Sequence, residues 1–197
     1  NSRKILRKYK NKSNVILIEN KKNSGLSYSR NIGLKNSTGE FIGYIDSDDY
    51  IDPDYYEKLV ESIIEKQADI AVCDMKLYYE KTNMYQISHG CEGTDKIDFI
   101  NNGLAASACN KLFKRNIIEK YPFAEGKVNE DIAVVIPALV DAKKIAYVPD
   151  VYYYYVQRDN SIQNSSFSEK RFDIFIGVNS TLKRIEHHKD YELYKDA

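Results

Sequence analysis

Three aspartates, Asp46, Asp48 and Asp49, follow directly on the apolar run of residues 41–45 and form the most distinctive cluster in the sequence. The run is typical of a buried β-strand, and open α/β sheets bind ligands at the carboxyl ends of such strands. Carboxylates this close together repel one another, and a hard divalent cation relieves the repulsion by accepting their oxygens. The cluster therefore predicts a site for Mn²⁺ or Mg²⁺, with an acidic turn that caps the next helix as the alternative explanation.

A calcium-binding loop is a competing explanation, because acidic residues from Asp46 to Glu57 occupy several ligand positions of such a loop. The sixth position of the loop would be Ile51, where glycine is required. The same stretch contains Asp52-Pro53, a pair that predicts the start of a helix. We therefore exclude a calcium loop.

The elements around this cluster alternate between strand and helix patterns. Short apolar runs predict strands, and apolar residues at three-and-four spacing predict helices. This alternation predicts an α/β fold, with a mostly parallel sheet covered by helices and a C-terminal helix. The predicted strands cover residues 15–18, 41–45, 69–75, 144–148 and 151–156, and the predicted helices cover about 3–12, 27–36, 53–67, 96–101, 130–140 and 168–188.

Composition limits the partners and the location. The chain has 197 residues with 29 basic and 29 acidic side chains, so no net charge attracts nucleic acid from a distance. Its three cysteines form no Cys-x-x-Cys pair and suit a reducing compartment. No apolar segment is long enough to span a bilayer. We expect a cytoplasmic protein that does not bind nucleic acid.

Four sequence blocks resemble the family-2 inverting glycosyltransferases of GT-A fold. In chain order they are residues 23–34 (NSGLSYSRNIGL), 38–42 (TGEFI), 44–49 (YIDSDD) and Pro53. Further along, residues 110–113 (NKLF), Glu130-Asp131 and 152–162 resemble the acceptor-side half of bacterial members that build surface polysaccharides. The resemblance implies a nucleotide-sugar-binding half over residues 1–105, an acceptor-side half over 106–165 and a C-terminal helical segment over 166–197.

The resemblance also implies roles on the donor side. Asp46 and Asp48 correspond to the acids of the family's Asp-x-Asp motif, with Asp46 nearer the ribose and Asp48 on a Mn²⁺ or Mg²⁺ ion that bridges the diphosphate of a nucleotide sugar, expected to be UDP-linked. Arg30 corresponds to a residue that contacts the nucleotide, and a guanidinium suits a phosphate. Arg158 is a weaker candidate for closing over the diphosphate. A surface arginine is the alternative explanation for both.

On the acceptor side, Asp131 corresponds to the family's general base, and Glu130 precedes it in the same motif. A base is needed because a hydroxyl of a glycan or lipid-linked acceptor is a poor nucleophile at neutral pH. Capping of the helix that follows is the alternative, and both roles can coexist. Lys111 is a weaker candidate for facing the acceptor.

The chain lacks two loops that begin family members, Pro-x-Tyr-Asn and Asp-Asp-Gly-Ser, which hold the base and ribose. We therefore expect an N-terminally incomplete GT-A sheet with an unpaired edge beside residues 41–45, through which a homodimer can form. We also expect weak binding of nucleotide sugar by the chain alone. Peripheral association with the inner face of a membrane is a further expectation.

Two other classes of function remain open from the sequence. A truncated module without catalytic activity would serve as an interaction domain. Nucleotidyl transfer also uses acids and a divalent ion at strand ends, but it normally shows a glycine-rich phosphate loop, and residues 23–25 (NSG) are the nearest equivalent.

Overall fold

A six-stranded sheet forms the centre of the computed structural model, which describes residues 2–91, 95–158 and 172–194. Helices cover the sheet, which confirms the α/β class. The strands are β1 (Phe41–Gly43), β2 (Tyr50–Ile51), β3 (Ile70–Tyr79), β4 (Met84–Ser88), β5 (Lys111–Lys114) and β6 (Ile145–Gln157). The helices are α1 (Ser2–Leu6), α2 (Gly25–Asn36), α3 (Tyr55–Lys66), α4 (Lys96–Ile100), α5 (Arg115–Ile118), α6 (Ile132–Asp141), α7 (Asp173–Ile185) and α8 (Tyr191–Tyr194), with a 3₁₀ turn at Arg7–Tyr9.

The sheet is mixed, so the prediction of a mostly parallel sheet was wrong. Its order is β1-β5-β3-β6-β2, with β4 paired to β3. Only β3 and β6 run parallel among the described strands, and the other pairs are antiparallel. The alternation of strand and helix patterns predicted parallel strands, but the β3–β4 hairpin reverses the chain. Strand β5 then lies antiparallel between β1 and β3.

The strand predicted at residues 15–18 does not form. Among the described residues this run has no strand partner, and Ile16 and Ile18 are exposed. A strand is stable only when a neighbour satisfies its backbone groups, which sequence pattern alone cannot guarantee. β1 likewise has a partner on one side only within the described sheet, as expected of an edge beside residues 41–45.

The predicted strands at 144–148 and 151–156 are a single long strand, β6. Its first part pairs with β3 up to Cys73 opposite Val148, and pairing resumes with Asp74 opposite Tyr152. The residues between form a bulge in which Asp150 adopts a left-handed conformation, with φ of 59°. The bulge sets the register of the tyrosine run that follows, so that Tyr153 is buried.

Helix α3 anchors the sheet through a buried face formed by Tyr55, Leu59 and Ile63. The N-cap of α3 is Asp54, and not Asp52 of the predicted Asp52-Pro53 start. The carboxylate of Asp52 accepts hydrogen bonds from the Tyr152 N–H at 3.0 Å and the Tyr154 hydroxyl at 2.9 Å, and so joins the start of the helix to β6.

The C-terminal helix is present as α7, whose described residues lie within the predicted range; residues 168–171 of that prediction lie outside the described structure. It packs on α6, where the Thr181 hydroxyl donates to the Ile132 carbonyl at 3.1 Å. None of the helices in the described ranges combines the length and apolar character that crossing a bilayer requires. The division at residues 105 and 165 stays a prediction.

Candidate active site

The acidic turn after β1 is held against β6 by one tyrosine. The Tyr153 hydroxyl donates to Asp49 Oδ2 at 2.6 Å and accepts from the Asp46 N–H at 3.1 Å. Asp49 Oδ1 accepts from the Val156 N–H at 2.9 Å. Burial raises the pKa of Asp49, and these two donors oppose the rise. Asp49 is therefore a structural member of the cluster, and Tyr153 is a site residue that the sequence analysis did not single out within the 152–162 block.

The other two acids of the turn remain available to a ligand. Asp48 is exposed, and the side chain of Asp46 is 28% exposed. Across the described ranges, no three His, Cys, Asp or Glu side chains converge to enclose a metal ion. Two carboxylates nevertheless fit the way Mg²⁺ and related ions bind, which is through one or two protein carboxylates together with water and substrate phosphates.

Arg30 lies at the centre of the site. It is on α2 and only 8% exposed, with its guanidinium over the rings of Phe123 and Tyr44. Its Nη2 donates to Asp46 Oδ1 at 3.2 Å. Its Nη1 contacts both acids of the Glu130-Asp131 pair, donating to Glu130 Oε1 at 3.1 Å and to Asp131 Oδ1.

Carboxyl groups outnumber cations in the cluster around Arg30. Burial lowers the pKa of Arg30, but the carboxylates of Asp131 and Asp46 outweigh burial and raise it above its ordinary value, so the guanidinium stays charged. One positive charge faces the carboxyl groups of Asp46, Glu130 and Asp131. The cluster therefore keeps net negative charge when these acids are ionised.

A second pair of hydrogen bonds fixes the helix that carries Arg30. The neighbouring Asn31 donates through Nδ2 to the Phe123 carbonyl and accepts through Oδ1 from the Phe123 N–H, each at 2.9 Å. The amide of Asn31 thus imitates a strand partner for Phe123. This contact holds α2 against the segment that supplies one wall of the Arg30 pocket.

Asp131 precedes α6, and its side chain does not cap the helix. Its backbone carbonyl accepts from the N–H groups of Val134 and Val135, whereas its carboxylate contacts Arg30 and accepts from the Ala108 N–H at 3.3 Å. Burial raises the pKa values of both Asp131 and Glu130. The alternative of helix capping therefore applies to the backbone of Asp131 and not to its carboxylate.

Two weaker candidates lie elsewhere. Arg158, at the end of β6, donates to Glu80 at 3.3 Å, and both side chains are about half exposed.

Lys111 is buried on β5. The expectation that Lys111 faces an acceptor is therefore wrong, because its stem turns inward to reach the carbonyl groups of a loop. Residues 159–162 of the motif that contains Arg158 lie outside the described structure.

The fold defines the class of protein. A solved structure of residues 1–349 of S. aureus TarS in complex with UDP-GlcNAc superposes with a TM-score of 0.80 at 23% identity, covering 95% of this chain and 55% of that one. A structure of GalNAc-T7 with UDP, GalNAc and Mn²⁺ superposes with a TM-score of 0.60 at 16% identity, covering 97% of this chain and 40% of that one. The chain has the GT-A fold of glycosyltransferases.

Sequence comparison then identifies the family. The model of glycosyl transferase family 2 matches residues 1–122, and the chain belongs to this family. The glycosyltransferase GlyA of Streptococcus pneumoniae is 30% identical over 175 residues, which are 82% of this chain and 25% of that protein. The putative glycosyltransferase EpsH of Bacillus subtilis is 26% identical over 190 residues, which are 90% of this chain and 54% of that protein. The chain thus spans between a quarter and about half of these relatives.

Proposed function

We propose that the protein carrying this chain is a metal-dependent, inverting glycosyltransferase that moves a sugar from a UDP-linked donor to a hydroxyl of a glycan or lipid-linked acceptor in surface-polysaccharide synthesis. Membership of family 2 supports transfer of a sugar. The choice of polymer is supported by relatives that include a poly(ribitol-phosphate) β-N-acetylglucosaminyltransferase of Staphylococcus aureus, 26% identical over 83% of this chain.

The observation that carries this proposal is the bridge made by Arg30. One guanidinium contacts both Asp46, on the turn after β1, and Asp131, at the start of α6. The two acids come from distant parts of the sequence and belong to the motifs expected to serve donor and acceptor. Their meeting at the buried guanidinium of Arg30 supports a single site in which the donor-side and acceptor-side motifs act together.

Asp46 and Asp48 are the residues that would hold a divalent cation. When bound, Mn²⁺ or Mg²⁺ would neutralise the negative charge of a departing diphosphate. The chain itself supports this arrangement by keeping Asp48 exposed and by holding the turn through Tyr153 and Asp49. Arg30 is near enough to Asp46 to balance part of its charge before a ligand binds.

Asp131 is proposed as the general base. The acceptor oxygen forms a bond to the anomeric carbon as the bond from that carbon to the diphosphate oxygen breaks on the opposite face, and the hydroxyl proton passes to the carboxylate of Asp131. A positioned base contributes typically about 10²- to 10⁴-fold in rate. Burial raises the pKa of Asp131, which makes the carboxylate a stronger base, while Arg30 and the Ala108 N–H oppose that rise and hold the carboxylate in place. Glu130 shares the guanidinium and holds it in place.

A binding experiment tests the donor side. Isothermal titration of UDP into the whole protein that carries this chain, in the presence and absence of Mn²⁺, should show affinity that depends on the ion, and Asp48→Ala should remove that dependence. Asp54→Ala is the matched control, since Asp54 is another partly exposed aspartate, paired with Lys58 and not part of the acidic turn. Ion-dependent binding that survives Asp48→Ala would contradict the assignment.

A turnover experiment tests the acceptor side. Release of UDP from a panel of UDP-hexoses is measured with poly(ribitol phosphate) and with other cell-wall glycans as acceptors. Asp131→Asn should lower kcat by about 10²-fold or more, since the amide cannot accept the proton. Asp69→Asn is the control, because Asp69 is also a partly buried, ion-paired aspartate, bound to Lys114 and the Lys143 N–H. Equal losses in the two variants would show that Asp131 is structural.

A further inference from the structure

Lys111 is a buried cation in a protein whose other lysines are mostly at the surface. It is the first residue of β5, is 1% exposed, and pairs in register with Val72 of β3. Burying an ammonium group is costly unless all its protons are bonded. We therefore expect the ammonium group of Lys111 to be fully hydrogen-bonded and to stabilise a particular part of the fold.

The ammonium group is fully satisfied by a single loop. Nζ donates to the carbonyl of Leu104 at 2.8 Å, the carbonyl of Ser107 at 2.7 Å and Oδ1 of Asn110 at 2.9 Å. Three donors thus meet three acceptors, which is the full capacity of the group. Asn110 is in turn tied to β3, because its Nδ2 donates to the Cys73 carbonyl at 2.8 Å.

The loop anchored in this way ends at the proposed base. Residue Ala108 directly follows Ser107, is fully buried, and donates its N–H to Asp131 Oδ2 at 3.3 Å. Cys109 comes next and its thiol lies 3.8 Å from Arg30 Nη2, while its carbonyl accepts from the Tyr55 hydroxyl at 2.8 Å. Movement of this loop would therefore alter the partners of Asp131 and Arg30 together.

We propose that Lys111 is a positioning residue: its ammonium fixes the 104–110 loop so that the Ala108 N–H is presented to the carboxylate of Asp131. This proposal rests on the assignment of Asp131 as the base. Lys111 acts through the loop backbone and does not touch a substrate. The orientation of Asp131 would thus be determined from two sides, by Arg30 on Oδ1 and by the loop on Oδ2.

Charges around Lys111 set the conditions for a test. Burial lowers the pKa of Lys111 to about 7, and the nearby carboxylate of Asp131 opposes this decrease. The neighbouring thiols of Cys73 and Cys109 are neutral near pH 7, because burial raises the pKa of each to about 12. Measurements at pH 6 therefore examine the protonated ammonium with all three donors.

The test is amide hydrogen exchange at pH 6 in the protein carrying this chain, with Lys111→Met and the control Lys114→Met. Lys114 lies on the same strand and pairs with Asp69, away from the loop. Lys111→Met should speed exchange at Ala108 by roughly 10-fold, the effect of losing one or two such hydrogen bonds, with little change in β5. Lys114→Met should leave Ala108 unchanged. Equal acceleration throughout the protein would indicate general destabilisation and overturn the proposal.

A second readout follows the carboxyl group itself. NMR titration of Asp131 should show a higher pKa in Lys111→Met, because the carboxylate loses the fixed Ala108 donor, and an unchanged pKa in Lys114→Met.

If Lys111→Met fails to fold, amide exchange in the wild-type protein tests the proposal instead. The Ala108 amide must then exchange as slowly as the amides of β5. Exchange at Ala108 as fast as at the exposed residues 124–127 would overturn the proposal. None of these readouts needs turnover, so loss of the positioning role and loss of the role of Asp131 as base are separate outcomes.

Discussion

Arg30 and Asp131 are 101 positions apart in the sequence, yet their side chains form a part-buried ion pair at the centre of the candidate active site. The same guanidinium reaches Asp46, so three chain segments meet at one residue. Because the pair is shielded from water, loss of the guanidinium, which leaves the carboxylates without a cation, should affect stability more than loss of an exposed cation would.

Arg30→Ala should lower the free energy of unfolding by about 3–5 kcal/mol, because it leaves buried carboxylates without their cation. The same change should raise the pKa of Asp131, since Arg30 is the main group that lowers it. Urea unfolding gives the first quantity and NMR titration the second. Arg158→Ala, which removes a half-exposed pair with Glu80, should cost less than about 1 kcal/mol. Losses of the same size in both variants would contradict the central role of Arg30.

The pH dependence of stability should change sign between two aspartates. Burial raises the pKa of Asp131, so the folded protein holds a proton there at pH values where the unfolded chain has released it, and stability falls as the pH rises through that range. Asp131→Asn should remove this fall and leave the protein at least as stable at pH 7. The pKa of Asp69 is lowered in the folded protein by hydrogen bonds from Lys143 and Lys114, which outweigh burial, so Asp69→Asn should instead lose stability that is present at pH 7 and fades in acid. Thermal unfolding from pH 3 to pH 8 distinguishes the two, and parallel curves would contradict this prediction.

Tyr153→Phe should loosen the acidic turn without opening a cavity. The hydroxyl serves both Asp46 and Asp49, and its loss leaves a partly buried carboxylate short of a donor. We expect a loss of about 1–3 kcal/mol in stability and a Mn²⁺-dependent affinity for UDP that is about tenfold weaker or more, as for other residues that orient metal ligands. Tyr155→Phe is the control, because Tyr155 is on the same strand and its hydroxyl has no hydrogen bond to the turn among the described residues. Unchanged UDP binding in Tyr153→Phe would refute this role.

Gly43, at the end of β1, leaves no room for a side chain unless Tyr56 moves. A Cβ there would lie 2.6 Å from the Tyr56 ring and hydroxyl, so Gly43→Ala forces the ring to move and should cost about 1–3 kcal/mol. Gly33→Ala is the matched control: this glycine lies within α2 with no atom within 4 Å of an added Cβ, and alanine should stabilise the helix by about 0.5–1 kcal/mol. Chemical denaturation measures both, and a stabilised Gly43→Ala protein would show that the strand end is less tightly packed than described.

Local pattern was sufficient for much of the fold. Apolar spacing correctly predicted α3 and α6, because a helix that packs on a sheet carries its apolar buried face in the sequence itself. Helix α2 was also predicted, although its buried residues are Ser27 and Arg30. It failed for residues 15–18, whose apolar character predicted a strand that has no partner in the described sheet. Sequence pattern also could not predict strand direction, since parallel and antiparallel pairing depend on connections such as the β3–β4 hairpin.

Sequence alone determined the types of residue available for chemistry: carboxylates after β1, an arginine on α2 and a Glu-Asp pair before α6, in the order of a known family. Only the tertiary structure decided that Arg30 joins Asp46 to Asp131, that Asp49 is held by Tyr153, and that Lys111 points into the protein. The reason is that spacing along the chain describes neighbours within one helix or strand, whereas these contacts join elements that meet only after the sheet has assembled.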